Sequence, residues 1–160
     1  QRDVAQPGSA RALGARGRQF ESDRPDPADR SLYALAGGLP ALERLTTRFY
    51  ERVFADPVLL PLFRDPGDPH AERLTLWLAE LLGGPKLHTE QRGGFDVMRG
   101  AHQGLRITGE QRKAWADHMH AAAEEVGLSE DFRKAFMPFI EGGSTFCQRV
   151  SWPRDQRWPR

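Results

Sequence analysis

Between positions 31 and 148 the apolar residues recur at intervals of three and four, the repeat of a helix with one buried face. Leu42, Leu45, Phe49 and Val53 form a first stripe behind Pro40, a residue suited to the first helical position. Asp56-Pro57 interrupts it, because the residue before a proline is pushed out of the helical region, and PVLLPLF follows as a short apolar connector. Asp68-Pro69 opens a second helix, with His70, Leu74, Trp77 and Leu81 spaced four, three and four, and Gly83-Gly84-Pro85 stops it. A looser stretch, KLHTEQRGGFDV, leads to a short helical piece, MRGAHQGL, that carries His102. Thr108 and Gln111 form a capping box for QRKAWADHMHAAAEEV, where Trp115, Met119, Ala122 and Val126 share a face and Gly127 closes the helix. Ser129 caps the last helix, in which Phe132, Phe136, Phe139 or Ile140, and Gly143 repeat, and Pro138 should bend the axis. No strand pattern interrupts this order. The chain is predicted to be all-α, with four substantial helices and short connections.

The two ends read differently. Residues 1–30 mix Gly, Pro, Ser and charges of both signs without a sustained apolar period, the composition of a disordered N-terminal extension. Its arginines are nearly matched by acids, which argues against an RNA- or lipid-binding arm. Residues 149–160 form a basic C-terminal tail with Trp152 and Trp158, expected to fray rather than to dock. The domain between them is set at 31–148. The chain opens on Gln1 rather than Met, so its true start is read as missing or processed.

Composition narrows the function. The apolar share of 39% is low for a globular chain, which fits the unpatterned ends. A formal net charge of +1 gives no support to a general nucleic-acid or anionic-membrane binder. Cys147 is the sole cysteine, so there is no intrachain disulfide and no thiolate metal cage, in keeping with a reducing, cytoplasmic setting. No apolar run reaches membrane-spanning length and no signal segment opens the chain. There is no phosphate loop, no HExxH, no GxSxG and no Cys-His pair.

Five histidines remain to be weighed. His118 and His120 lie two apart on a helix and point in different directions, which defeats joint chelation. His88, in a polar stretch, is expected to be exposed. His102 differs in its setting. It sits on a short helix flanked by Met98, Leu105 and Ile107, an apolar wall from which one imidazole can rise toward a flat cofactor. Tyr50, Trp115 and His70 each combine an apolar body with a hydrogen-bond donor, and core packing is the plain alternative for the first two.

Several segments taken in register resemble the bacterial group-two truncated haemoglobins. They are GGLPALERLTTRFYERVFADPVLLPLF, HAERLTLWLAELLGGP, MRGAHQGLRITGEQRKAW and AFMPFIEGGSTF, spread over nearly all of 31–148 in the family's order. The resemblance implies a shortened globin fold, a two-over-two helical sandwich, holding haem b (iron protoporphyrin IX). It makes His102 the proximal iron ligand, Tyr50 the distal tyrosine and Trp115 the tryptophan that marks the group. Phe63 falls where relatives often carry a tyrosine, and His70 aligns with a distal position that many relatives fill with a small residue. Leu74 and Trp77 would line the haem cavity with Met98, Leu105 and Ile107, and Arg73 and Arg99 would meet the propionates. The segment before His102 is one residue longer than in some relatives. The implied partners are oxygen, nitric oxide or carbon monoxide, a reductase, and a second copy in a homodimer.

A globin fold leaves the reaction open. Reversible gas binding for storage, delivery or sensing is the first reading. A haem enzyme, a nitric-oxide dioxygenase or peroxidase, is the second. A helical interaction module without a cofactor is the third.

Overall fold

Leu42, Leu45, Phe49 and Val53 are fully buried, and the helix that carries them is the centre of the molecule. A computed structural model of the chain describes residues 30–65 and 67–155. Among these run seven α-helices, α1 (Leu32–Ala36), α2 (Gly38–Phe54), α3 (His70–Leu81), α4 (Leu87–Arg92), α5 (Gly94–His102), α6 (Gly109–Glu125) and α7 (Glu130–Ser151), with a 3-10 turn at Leu60–Leu62. No strand occurs among the described residues. The four long helices are those predicted, α2, α3, α6 and α7. Helices α3 and α6 both pack on α2, and α7 packs on α6. Their shared core joins Phe49 of α2, Leu78 of α3, Met119 of α6 and the ring pair Phe132–Phe136 of α7. Burying one such side chain is worth about 1.5–3 kcal/mol. Between α2 and α3 a buried hydroxyl pair, Thr46 with Thr75 at 2.7 Å, lets the two backbones approach closely.

The caps hold as read. Thr108 accepts from the Gln111 amide while the Gln111 side chain accepts from the Thr108 amide, and Ser129 accepts from Phe132. Other boundaries move. Helix α2 starts at Gly38, two residues before Pro40; the proline remains in the first turn, where backbone N–H groups lack helical acceptors anyway. The entry is shaped by Gly37, whose φ of 102° closes α1 and opens α2 together. The stretch read as loose forms α4 and the start of α5. Of the two candidates on the last stripe, Ile140 is buried and Phe139 is exposed, and Ser144 rather than Gly143 continues the buried face. Helix α7 runs unbroken past Pro138 and past the expected boundary at 148 as far as Ser151.

The C-terminal end corrects the expectation of fraying as far as it is described. Ser151 is fully buried, and its hydroxyl accepts from the Ile107 amide at 2.9 Å. Its carbonyl accepts from the Arg106 amide at 3.1 Å, and Trp152 Nε1 donates to the Ile107 carbonyl at 2.9 Å. The end of α7 therefore clamps the loop that follows His102. Residues 1–29, nearly all of the expected N-terminal extension, and 156–160 lie outside the described residues.

Candidate functional site

His102 is the last residue of α5 and is half-buried. Its Nδ1 donates to the carbonyl of Met98, one turn earlier, at 2.8 Å. That bond fixes the tautomer and leaves Nε2 as the ring nitrogen with a lone pair to offer. Met98 and Leu105 are half-buried near it in sequence and Ile107 is buried. Arg106 holds a φ of 52°, unusual for a residue with a side chain, and the clamp from Ser151 keeps it there.

On the α2–α3 side the rings of Tyr50, Phe54, Phe63 and His70 form one cluster. Tyr50 lies 5.7 Å from the His70 ring and 5.8 Å from Phe63, and Phe63 lies 5.0 Å from His70. Trp115 of α6 joins through Phe49, whose ring is 5.0 Å from both Tyr50 and Trp115. Burial pushes the Tyr50 hydroxyl well above its ordinary pKa, with Arg73 opposing weakly, so the group is a proton donor at neutral pH. His70 does more than stack: its Nε2 lies 3.3 Å from the Asp65 carbonyl, to which it donates. Leu74 and Trp77 are half-buried on the outer face of α3, and Trp77 reaches the α5 side at Phe95, 6.4 Å between rings. The two arginines read as propionate partners each have an acid: Arg73 is forked onto Asp68, with Nη1 at 2.5 Å, and Arg99 meets Asp96 at 3.6 Å. The Nε atoms of both are buried with no hydrogen-bond partner.

One histidine differs from the sequence reading, and another gains partners that the reading did not name. His88, expected in solvent, is 5% exposed, packed 5.1 Å from the Trp77 ring, with Nδ1 buried and unpartnered. Burial lowers its pKa. The cause is α4 folding back on α3, where Glu80 accepts from the amide and hydroxyl of Thr89. His118, half-buried, joins a polar network that periodicity does not reveal. Its Nε2 donates to Asp56 at 2.7 Å, and its Nδ1 accepts from Arg52 at 3.3 Å. Arg52 and Arg48 both clasp Glu125.

Comparison with known proteins settles the family. The bacterial-like globin profile matches residues 31–146. The chain is 36% identical over 104 residues to the group 2 truncated hemoglobin YjbI of Bacillus subtilis, covering 65% of this chain and 78% of that protein. This chain is a group-two truncated haemoglobin of the bacterial-like globin family. Solved structures agree. A thermostable hemoglobin from Thermobifida fusca superposes with a TM-score of 0.68 at 34% identity, covering 78% of this chain and 99% of that one. The truncated oxygen-avid haemoglobin of Bacillus subtilis gives 0.67 at 32%, covering 74% and 98%. The group II truncated hemoglobin of Bacillus anthracis gives 0.69 at 26%, covering 78% and 95%.

Membership makes this globin a haem binder, and its own residues fit the group. Haem needs one basic nitrogen and two apolar walls. The His102 ring, with Nδ1 engaged by the Met98 carbonyl, has Nε2 as such a nitrogen. Leu74 and Trp77 on α3 and Met98 on α5 are apolar side chains left partly uncovered by the protein itself, and Phe95 is 51% exposed. Among the described residues no three of His, Cys, Asp or Glu gather around one point. No helix among the described residues is long and apolar enough to cross a membrane.

Proposed function

We propose that this globin binds oxygen, and with it nitric oxide and carbon monoxide, at the iron of haem b, with His102 proximal and Tyr50 and Trp115 as distal donors. The observation that carries the reading is the Nδ1 bond from His102 to Met98, which presents Nε2 as a neutral ligand. Bound haem supplies the metal centre at which a diatomic gas is held. Non-covalent haem b is the form consistent with one cysteine, since a CxxCH attachment needs two. Phe63, Leu74, Trp77, Met98, Leu105 and Ile107 exclude water. Arg73 and Arg99, paired with Asp68 and Asp96 in the protein, are the residues assigned to the propionates.

The distal chemistry is that of hydrogen-bond donation. Burial keeps the Tyr50 proton on its oxygen, and the Trp115 indole nitrogen can only donate. Such donors favour a ligand that gains negative charge, oxygen above carbon monoxide. The same donors favour slow release over delivery, and they suit the second reading, nitric-oxide dioxygenase or peroxidase chemistry fed by a reductase.

A Soret band on the purified protein is the first requirement. Stopped-flow displacement of oxygen from wild type, Tyr50→Phe, His70→Leu and the double variant then tests the distal assignment. One hydrogen bond to a partly charged acceptor is worth about 1.5–3 kcal/mol, which speeds release on the order of ten- to a hundred-fold. His70 stacks on Tyr50, so the double variant should release faster than either single one, while carbon monoxide release changes less. If Tyr50→Phe and the double variant both match wild type, Tyr50 is a packing residue and the distal assignment fails.

A further inference from the structure

We propose that α4 is an acid-released cover over the Trp77 side of the haem cavity, held down while His88 is neutral. This rests on the reading of Trp77 as part of the cavity wall. The helix has six residues and no side-chain cap at its start, too few turns to persist without tertiary contacts. Turns bound it on both sides, with Gly83 at a φ of 90° and Gly93 at 93°, so neither α3 nor α5 carries it as continuous helix. One tether and one buried face fasten it. Glu80 of α3 accepts from the Thr89 amide at 2.8 Å and from the Thr89 hydroxyl, while Leu87 and His88 supply the packed surface. The His88 ring is 5% exposed and stands edge-on to the Trp77 indole, 5.1 Å between centres, with Nδ1 buried and unpartnered.

An imidazolium carries N–H on both nitrogens. A proton taken up by docked His88 would therefore leave a charged donor at Nδ1 buried with nothing to accept it, whereas the lifted helix offers water. Glu80 of α3 favours the cation and Arg92 of α4 opposes it, and burial, the largest effect, carries the balance to the neutral ring. The other ionisable residues of α4 and its start, Lys86 and Glu90, are exposed. Helix α5 also packs on α4, and its charged pair, Asp96 and Arg99, engage each other at 3.6 Å, with His102 held by the Met98 carbonyl. Undocked, His88 regains the ordinary value of about 6.5, so the lifted form gains as pH falls below it. The tether does not release in the same window, because the Thr89 hydroxyl and then its amide hold the Glu80 carboxyl below the usual range. His88 is the group that lets go, and Trp77 loses its neighbour when it does.

Hydrogen exchange of the haem-loaded protein at about pH 7.5 and about pH 5.5, corrected for the intrinsic rate and referred to α2, tests this. The amides of Thr89, Glu90 and Gly93 are each bonded in the docked helix. Their protection should fall about tenfold between the two conditions. In His88→Phe, which keeps a ring against Trp77 but takes up no proton, the fall should be absent. His88→Leu gives the same comparison if the larger ring overfills the site. Haem transfer to an acceptor globin should speed in acid by up to about tenfold more in wild type than in these variants. Acid also protonates the axial imidazole, but equally in all three proteins. Protection that is the same at both pH values overturns the proposal, as does an equal fall in wild type and the variants. Opening of α4 without extra haem loss also overturns it, and takes Trp77 out of the cavity wall. Exchange is read at α4 itself, so that last failure is distinct from failure of the cover, and no readout depends on gas binding.

Discussion

At the scale of the residue, His102 and His88 show what a sequence can and cannot say about a histidine. His102 is legible as a candidate ligand because apolar neighbours at fixed spacing and a family pattern surround it, and the structure adds the Met98 carbonyl that sets its tautomer. His88 was misread, because its burial comes from Glu80, nine residues away from Thr89, drawing α4 onto α3. Replacing His102 by Ala should remove most of the haem, or leave haem that becomes five-coordinate only with added imidazole. Wild-type stoichiometry with an unchanged ferrous spectrum would take the ligand role away from it. The Asp56–His118 pair sets a second expectation. The hydrogen bond from His118, then that from the Val58 amide, holds the Asp56 carboxyl below the usual range, and Arg48 does the same for Glu125. Depressed acids stabilise the fold above their unfolded pKa values, about 3.9 and 4.3, and that contribution is lost as pH falls through the lower folded values. Asp56→Asn combined with Glu125→Gln should therefore melt earlier than wild type at pH 7. The two curves should converge once pH falls below the lowered folded values. A constant gap down to acid pH would mean that the network acts by packing rather than by charge.

Among the elements, α3 is the one whose two faces separate reading from structure. The stripe read from the sequence, His70, Leu74, Trp77 and Leu81, is the less buried face, with Leu81 38% exposed. The face packed into the protein core is Thr75, Leu78, Ala79 and Leu82, rotated around the same helix. A helix apolar on both sides is consistent with one face against protein and one against a cofactor, and periodicity alone could not rank the two. The stop after α3 was legible as a glycine pair, but the reason for its second glycine lies in tertiary contact. A Cβ at Gly84 would sit 2.6 Å from the Tyr33 ring and 2.7 Å from the Ala79 carbonyl. Tyr33 is pinned there by its amide, which donates to the Leu82 carbonyl at 2.9 Å, and its hydroxyl accepts from the Leu39 amide at 3.2 Å. Gly84→Ala should thus cost about 1–3 kcal/mol by overpacking. Gly142→Ala, in α7 with nothing within 4 Å of the added carbon, should be neutral or stabilising by about 0.5–1 kcal/mol. Equal melting temperatures for the two variants would show that α1 does not hold its place against the end of α3.

For the molecule as a whole, the consequential departure from the sequence reading is that chain closure happens at the site. Residues 149–160 were read as a basic tail because WPRDQRWPR has no period, and a residue's docking partner 44 positions earlier leaves no local trace. In the structure the last turn of α7 and Trp152 close over the loop from His102 to α6, satisfying both Arg106 and Ile107. Ile107 is 8% exposed and Ser151 is fully buried, so the amide bonded between them cannot turn to water when its acceptor is removed. Leaving such a donor unpaired costs about 1–3 kcal/mol. Ser151→Ala should therefore lower the melting temperature by roughly 3–10 °C in a chain of this size. Truncation after Gln148, which removes all three clamp bonds, should lower it further and, if His102 is the proximal ligand as proposed, loosen haem retention as well, because the freed loop begins at His102. The truncation is informative in two readouts at once. Hydrogen exchange at 103–107 should accelerate in it relative to α2, whose core stripe does not touch the clamp, and haem loss to an acceptor protein should speed in step. If the truncated chain melts as wild type and keeps its haem equally well, the end of α7 is an ornament on a domain that closes at Gln148. If exchange at 103–107 quickens while haem loss does not, the loop and His102 are uncoupled, and His102 is held by α5 alone.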